Sequence, residues 1–240
     1  MKLFKDFVNR MPSNEHLIQE VLEETLGSKV TPQKVKKNFS GLVEGIHNEI
    51  YKRYLLIQDK VGNELIQELI KKENREGSLF KDLNDFYMSI FQSRKVRAGK
   101  VFEVIIGTLF KKCDYPFDEQ IIINGKPDFL LPSEKAYKNN PMDCIVFTAK
   151  RTLRERWRQI VTEGTKAYGF FLTTLDDDIS KSQLNEMKNN KIYIVLPKNI
   201  IKNIPAYKNQ VNVISYEDFF EDYLDPAVKR WDRQKTNIKK

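Results

Sequence analysis

Apolar residues recur at helical spacing through the first third of the chain. Leu17, Ile18, Val21, Leu22 and Leu26 fall on one helical face, and Gly27 with the Thr31–Pro32 pair ends the pattern. Leu42, Ile46, Ile50, Tyr51, Tyr54 and Leu55 repeat it, and a third run covers Leu65 to Ile70. Lys71 to Gly77 is a charged connector that ends in glycine. Residues 79–92 predict a short helical element rich in aromatics, with Phe80, Phe86, Tyr87 and Phe91. Ser93 to Lys100 is a basic stretch, read as a loop or the start of the next helix. That helix is expected from about Arg97 to Lys112. Val101, Phe102, Ile105, Ile106, Leu109 and Phe110 cover most of its circumference, so it should be well buried. Glu103 stands inside that apolar run and needs a partner or a metal, because an isolated buried carboxylate is costly.

Beyond Pro116 the period changes from 3.6 to two. Ile121 to Ile123 predicts a short strand, Gly125-Lys126 a turn, and Phe129 to Leu131 part of the next strand. Pro132 to Pro141 reads as a polar surface loop. Asp143 to Thr148 is nearly continuous in apolar residues, as in a central strand covered on both faces. A helix is expected from about Leu153 to Lys166, with an apolar stripe of Leu153, Trp157, Ile160 and Val161. Tyr168 to Leu172 is a further strand, Ile179 to Asn190 a helix, Ile192 to Leu196 a strand and Val211 to Ile214 a last short strand. Tyr216 to Leu224 is helical, and a basic tail closes the chain. Strands that alternate with helices behind a helical first part predict an α/β fold. The division expected is a helical region over 1–92 and a core over 93–240, packed as one compact unit. No internal repeat is visible.

The charge changes the picture. Of 240 residues, 41 are Lys or Arg and 33 Asp or Glu, a formal net charge of +8. That surplus favours an acidic partner, nucleic acid before a membrane surface. The two cysteines, Cys113 and Cys144, sit in apolar contexts and read as buried free thiols of a reducing compartment. With two His and two Cys, a structural zinc site is excluded in practice. No run reaches the length of a membrane span, and the Met-Lys-Leu-Phe-Lys-Asp start lacks the apolar core of a signal peptide, so a cytoplasmic location is expected.

The candidate chemistry lies between Gly125 and Glu163. Asp128 follows Pro127 at a strand start, and Lys150 ends the next strand, so two paired strands would bring both to one point. Arg156, Gln159 and Glu163 share one face of the following helix, opposite the Leu153/Trp157/Ile160 stripe. Lys150, Arg151, Arg154, Arg156 and Arg158 form a dense cationic cluster suited to a phosphate backbone. Two carboxylates can ligate Mg²⁺, a hard cation that also keeps waters and phosphate oxygens. Metal and lysine together can stabilise a scissile phosphate and lower the pKa of the attacking water. Taken singly, Asp128 reads as a turn acid, Lys150 as a surface lysine, and Glu163 as a helix partner of Arg156 or Arg158. Their joint spacing beside the basic cluster favours the shared site.

Pro127-Asp128, Lys150 and Glu163 together resemble the PD-(D/E)xK nuclease superfamily. The narrower resemblance is to the type II restriction endonucleases of the EcoRII C-terminal domain, PspGI and SsoII group. In the common pattern an acid stands two residues before the lysine; here that position is Thr148, and Glu163 takes its role, as in that group. The basic stretch over 93–100 resembles the approach to the group's acid-bearing helix, which makes Glu103 the match for an additional active-site glutamate. Arg154-Glu155-Arg156 is similar to its base-reading triplet. The resemblance implies a restriction-endonuclease-like central mixed β-sheet flanked by helices, with an α-helical N-terminal part that contacts DNA or dimerises. It implies Mg²⁺-dependent double-strand cleavage at a CC(N/W)GG-type palindrome by a homodimer, with the central pair flipped out of the helix. A cognate DNA methyltransferase in the host follows from the same resemblance. By position it makes Phe39 the platform that stacks a flipped base, Gln92 the minor-groove wedge, and Arg94, Lys95, Arg97, Arg151 and Arg158 phosphate contacts. The triplet fits the chemistry, since arginine pairs bidentately with guanine O6 and N7 and glutamate accepts from cytosine N4.

Four other functions can be weighed against the sequence. A site such as CCGG, or a repair or recombination nuclease of the same superfamily, keeps the catalytic residues. The second of these has no use for Glu155, which repels phosphate. A catalytically silent DNA-binding protein would not need Asp128, Lys150 and Glu163 intact. An RNA-binding protein would carry exposed aromatics on its strands, whereas here they lie inside apolar runs.

Overall fold

Ser13, Thr31, Ser133 and Ser180 each cap a helix by accepting a backbone N–H from three residues on, which fixes four of the boundaries. The computed structural model describes residues 2–27, 30–71, 78–123, 125–153, 167 and 169–238. The helical first part consists of α1 (Lys2–Arg10), α2 (Asn14–Leu26), α3 (Pro32–Lys37), α4 (Phe39–Ile70) and α5 (Leu79–Lys112). Helix α5 is continuous over 34 residues. The two helices expected over 79–92 and from Arg97 are therefore one, and the basic stretch over 93–100 is helix interior. Gly99 and Gly107 both lie inside the helix, and each costs about 1 kcal/mol relative to alanine, which tertiary packing offsets.

The chain divides into two compact units, one of Met1–Lys29 with Gly45–Val104, the other of Val30–Glu44 with Ile105–Lys240. The boundary after Val104 falls inside α5, twelve residues beyond the division expected at 92. In the first unit Phe7, Met11, Leu17, Tyr54, Val61, Leu65, Phe86 and Ile90 form the core. Arg53 ties α4 to α2 through Glu20 and Glu24 and pairs with Glu49 one turn back.

The second unit is built on a six-stranded mixed sheet in the order β1 to β6. Its strands are β1 (Asp118–Glu119), β2 (Phe129–Leu131), β3 (Ile145–Ala149), β4 (Gly169–Thr173), β5 (Ile192–Leu196) and β6 (Val213–Ser215). Strands β1 to β3 pair antiparallel, and β3 to β6 run parallel. The strand expected at Ile121–Ile123 is not formed, because β2 finds its partner two residues earlier, at Asp118 and Glu119. The loop expected over 132–141 holds a short helix, α6 (Glu134–Asn139). After β4 come α7 (Lys181–Asn189), α8 (Lys198–Asn203) and α9 (Pro205–Lys208). After β6 come α10 (Tyr216–Asp218), a π-helical turn (Phe219–Leu224) and α11 (Asp225–Ile238), so the basic tail is helical.

Side-chain alternation gives the sheet two different faces. Leu130, Val146, Leu172, Ile194 and Val213 point one way, onto Leu184 and Met187 of α7 and onto Tyr207. Phe129, Phe147 and Phe171 point the other way and form an aromatic layer with Phe110, Phe219 and Phe220. Gly107 lets α5 lie close here. A Cβ at that position would stand 3.1 Å from the Phe129 ring. Cys113 and Cys144 are both buried and free, as their contexts predicted.

Candidate active site

The antiparallel register of β2 on β3, with Phe129 opposite Phe147 and Leu131 opposite Ile145, puts the start of β2 beside the end of β3. Asp128 and Lys150 occupy those two positions. The Lys150 Nζ lies 2.9 Å from Asp128 Oδ2, and the side chains are 28% and 5% exposed. The same oxygen accepts the Ala149 backbone N–H at 2.8 Å. Asp128 Oδ1 accepts from the Gln120 side-chain amide at 3.1 Å. The lysine is fixed through its own backbone as well, since its N–H donates to Thr173 O of β4 at 2.9 Å.

A carboxylate offers about four lone-pair positions. Among the described residues three find donors, two on Oδ2 and one on Oδ1. Counted over those residues, one position on Oδ1 remains for an incoming cation, and it is a hard oxygen of the kind Mg²⁺ selects. The described residues contain no cluster of three or more metal-ligating side chains. Glu163, the expected second ligand, lies outside the described residues, as do Arg154, Glu155, Arg156 and Arg158.

Gln120 was not identifiable from the sequence. It adopts a left-handed backbone (φ 57°), which costs a non-glycine residue about 1–2 kcal/mol. In that conformation its N–H reaches Asp128 O and its side chain reaches Asp128 Oδ1. The residue thus holds the acid from both backbone and side chain. Only the folded pairing of β1 with β2 brings them together. Thr148, where the common superfamily pattern has an acid, is fully buried, and its Oγ1 has no hydrogen-bond partner among the described residues.

The remaining site candidates fall in several places. Phe39 is fully buried in the second unit, packed on Phe110, Tyr216 and Phe220 at centroid distances of 5.9, 4.8 and 4.8 Å. Its faces are taken by core rings, so it offers no platform to a flipped base, and that role is withdrawn. Gln92 is exposed on α5. Arg94 donates to Gln58 at 2.9 Å, and Arg97 to Pro12 O and Asn14 at 3.3 and 3.1 Å. Each guanidinium thus spends one or two of its five N–H donors inside the helical unit. Lys95 remains exposed, its ammonium 4.4 Å from the Phe91 ring centroid. Glu103, in the first unit, pairs with Lys100 one turn back at 3.4 Å, which supplies the partner its apolar setting demanded. Arg151 follows Lys150 just past the carboxyl end of β3.

The sequence matches the profile of the family described as EcoRII C terminal over residues 59–220. The chain belongs to the EcoRII C-terminal family. The chain is similar to the type II restriction enzyme SsoII of Shigella sonnei, at 32% identity over 158 residues, or 60% of this chain and 51% of that one. It is also similar to the type II restriction enzyme EcoRII of Escherichia coli, at 36% over 123 residues, 49% of this chain and 30% of that one. The match therefore spans about half of SsoII and under a third of EcoRII. Metal-depleted Ecl18kI in complex with uncleaved DNA superimposes with a TM-score of 0.83 at 23% identity, covering 99% of this chain and 88% of that one. The PspGI–substrate DNA complex gives 0.65 at 19%, over 92% and 94%. These structures establish the restriction-endonuclease-like fold of this EcoRII C-terminal family member. No described helix is long and apolar enough to cross a membrane.

Proposed function

We propose that this member of the EcoRII C-terminal family is a type II restriction endonuclease that makes Mg²⁺-dependent double-strand cuts in DNA at a CC(N/W)GG-type palindrome. The observation that carries this reading is the Asp128–Lys150 pair at the adjoining ends of β2 and β3, in a chain of that family. Asp128 and Glu163 hold the metal. Bound Mg²⁺ supplies charge stabilisation to the scissile phosphate and acidifies a water. Lys150, held 2.9 Å from Asp128, presents its ammonium to the same phosphate. Gln120 and the Ala149 N–H keep the acid in one rotamer as charge builds nearby.

Arg154, Glu155 and Arg156 read the CC:GG half-site in the major groove, Arg151, Arg158 and Lys95 grip phosphates, and Gln92 wedges the minor groove. Glu103 assists from α5. The enzyme works as a homodimer on a two-fold site and flips the central pair, with a base platform other than Phe39. A host methyltransferase protects the same site. The two closest competitors are a different recognition site, such as CCGG, and a repair nuclease on the same fold.

The test compares wild type with Lys150→Ala on plasmid DNA in Mg²⁺. Wild type should cleave. The variant should not, yet should keep specific binding, because the ammonium touches the reacting phosphate and no base. Cleavage by the variant at the wild-type rate would remove Lys150 from the mechanism.

A further inference from the structure

The segment between the catalytic lysine and the reading triplet is fastened to the loop that follows β4. Arg151 O accepts the Thr174 hydroxyl at 3.0 Å and the Leu175 N–H at 3.3 Å. The Leu153 N–H donates to Asp176 Oδ2 at 2.7 Å, and the Leu153 side chain is buried in the core beneath the sheet. The other Asp176 oxygen, Oδ1, accepts the Asp178 N–H at 3.2 Å, and the Asp176 N–H donates to Thr174 Oγ1 at 3.0 Å. The loop is itself anchored from below. Tyr207, 1% exposed, donates its hydroxyl to Asp176 O and accepts from the Ile179 N–H. One carboxylate therefore stiffens its own loop and holds the backbone of a residue just ahead of Arg154.

We infer that Asp176 is a positioning residue for sequence recognition, indexing the Arg154-Glu155-Arg156 triplet to the scissile phosphate at Lys150. The inference rests on the reading triplet proposed above. Recognition and cleavage must be in register, because a bidentate arginine–guanine contact tolerates little displacement. Lys150 needs no help from Asp176, since its backbone is already tied to Thr173 O in the sheet. Loosening the clamp should therefore disturb the reader more than the chemistry. A displacement of about 1 Å in such a constellation is worth up to roughly a hundredfold.

The test measures cleavage at the site that wild type prefers against sites altered by one base pair, for Asp176→Ala, Asp176→Asn, Arg156→Ala and the Asp176→Ala/Arg156→Ala double variant. Circular dichroism confirms that each is folded. Asp176→Ala should lower the preference about tenfold or more, and Asp176→Asn, which keeps an acceptor oxygen, should restore most of it. The double variant should be no less selective than Arg156→Ala alone, because both changes act through one reader. Additive losses, or an unchanged preference in Asp176→Ala, would overturn the inference while leaving the proposed function standing. A wild-type protein with no preference, or an Arg156→Ala variant that keeps it, would instead overturn the reading triplet and this inference with it. Should Asp176→Ala not fold, Thr174→Val breaks the neighbouring bond to Arg151 O. An unchanged preference there counts equally against the clamp.

Discussion

Replacing Asp128 by alanine removes the acceptor of three hydrogen bonds at once. The Ala149 N–H, in a fully buried strand, loses its partner, which costs about 1–3 kcal/mol. The Lys150 ammonium loses its counter-charge. A fully buried charge left alone costs about 3–5 kcal/mol, but at 28% exposure Lys150 can turn toward water and recover part of that. The Gln120 amide is near solvent and adds little. The single substitution should thus destabilise the fold by about 2–4 kcal/mol. Lys150→Met leaves the carboxylate with two donors and should cost about 1–2 kcal/mol. In the double variant no ammonium remains unpaired, so the combined loss should fall short of the sum by about 1 kcal/mol or more. Urea unfolding followed by circular dichroism gives all four corners of the cycle, with equal m-values as the check on two-state behaviour. Losses that add within about 0.3 kcal/mol would show that the two groups do not interact in solution, and the site geometry would be wrong at its centre.

Two further expectations concern the fold around the site. Phe39→Ala should cost about 3–5 kcal/mol, measured by the same unfolding assay, because the ring is packed on three others; wild-type stability in that variant would contradict its place in the core. Burial pushes the Cys113 and Cys144 thiols and the Tyr207 phenol up to about 12, from ordinary values of 9.0, 9.0 and 10.0. Each group is raised in the folded state, so its contribution is complete below pH 9 and is lost as pH climbs from about 9 toward 12. The melting temperature should therefore decline across that window, and native protein at pH 8 should resist a thiol-specific reagent that reacts on unfolding. A flat melting temperature, or rapid reaction of either thiol in the native state, would contradict the burial.

Much of the second unit was legible because its signals are local. The run Ile192 to Leu196 became β5 residue for residue, and the apolar stretch before Lys150 became β3, since continuous apolar runs bounded by polar turns admit little else. The Asp128–Lys150 pair was legible because two adjacent antiparallel strands must bring one end of each together. What was not legible depends on partners far along the chain. Three isoleucines at 121–123 look more like a strand than Asp118–Glu119, yet pairing with β2 decided for the latter. Arg94 and Arg97 stand one helical turn apart on α5, and their bonds to Gln58, Pro12 and Asn14 within the helical unit leave no trace in the local pattern. Gln120 and Asp176 carry no motif at all. Each acts by a hydrogen bond to a residue that only the sheet brings near.

The most direct test of the central claim is a Mg²⁺-dependent digest of a fully sequenced plasmid, with every end mapped by run-off sequencing. Discrete cuts confined to CC(N/W)GG-type sites, absent with Lys150→Ala, are the predicted result and would also settle the central pair. Tight DNA binding with no cleavage under any Mg²⁺ concentration would contradict it, and would make the Asp128–Lys150 pair a structural ion pair in a DNA-binding protein.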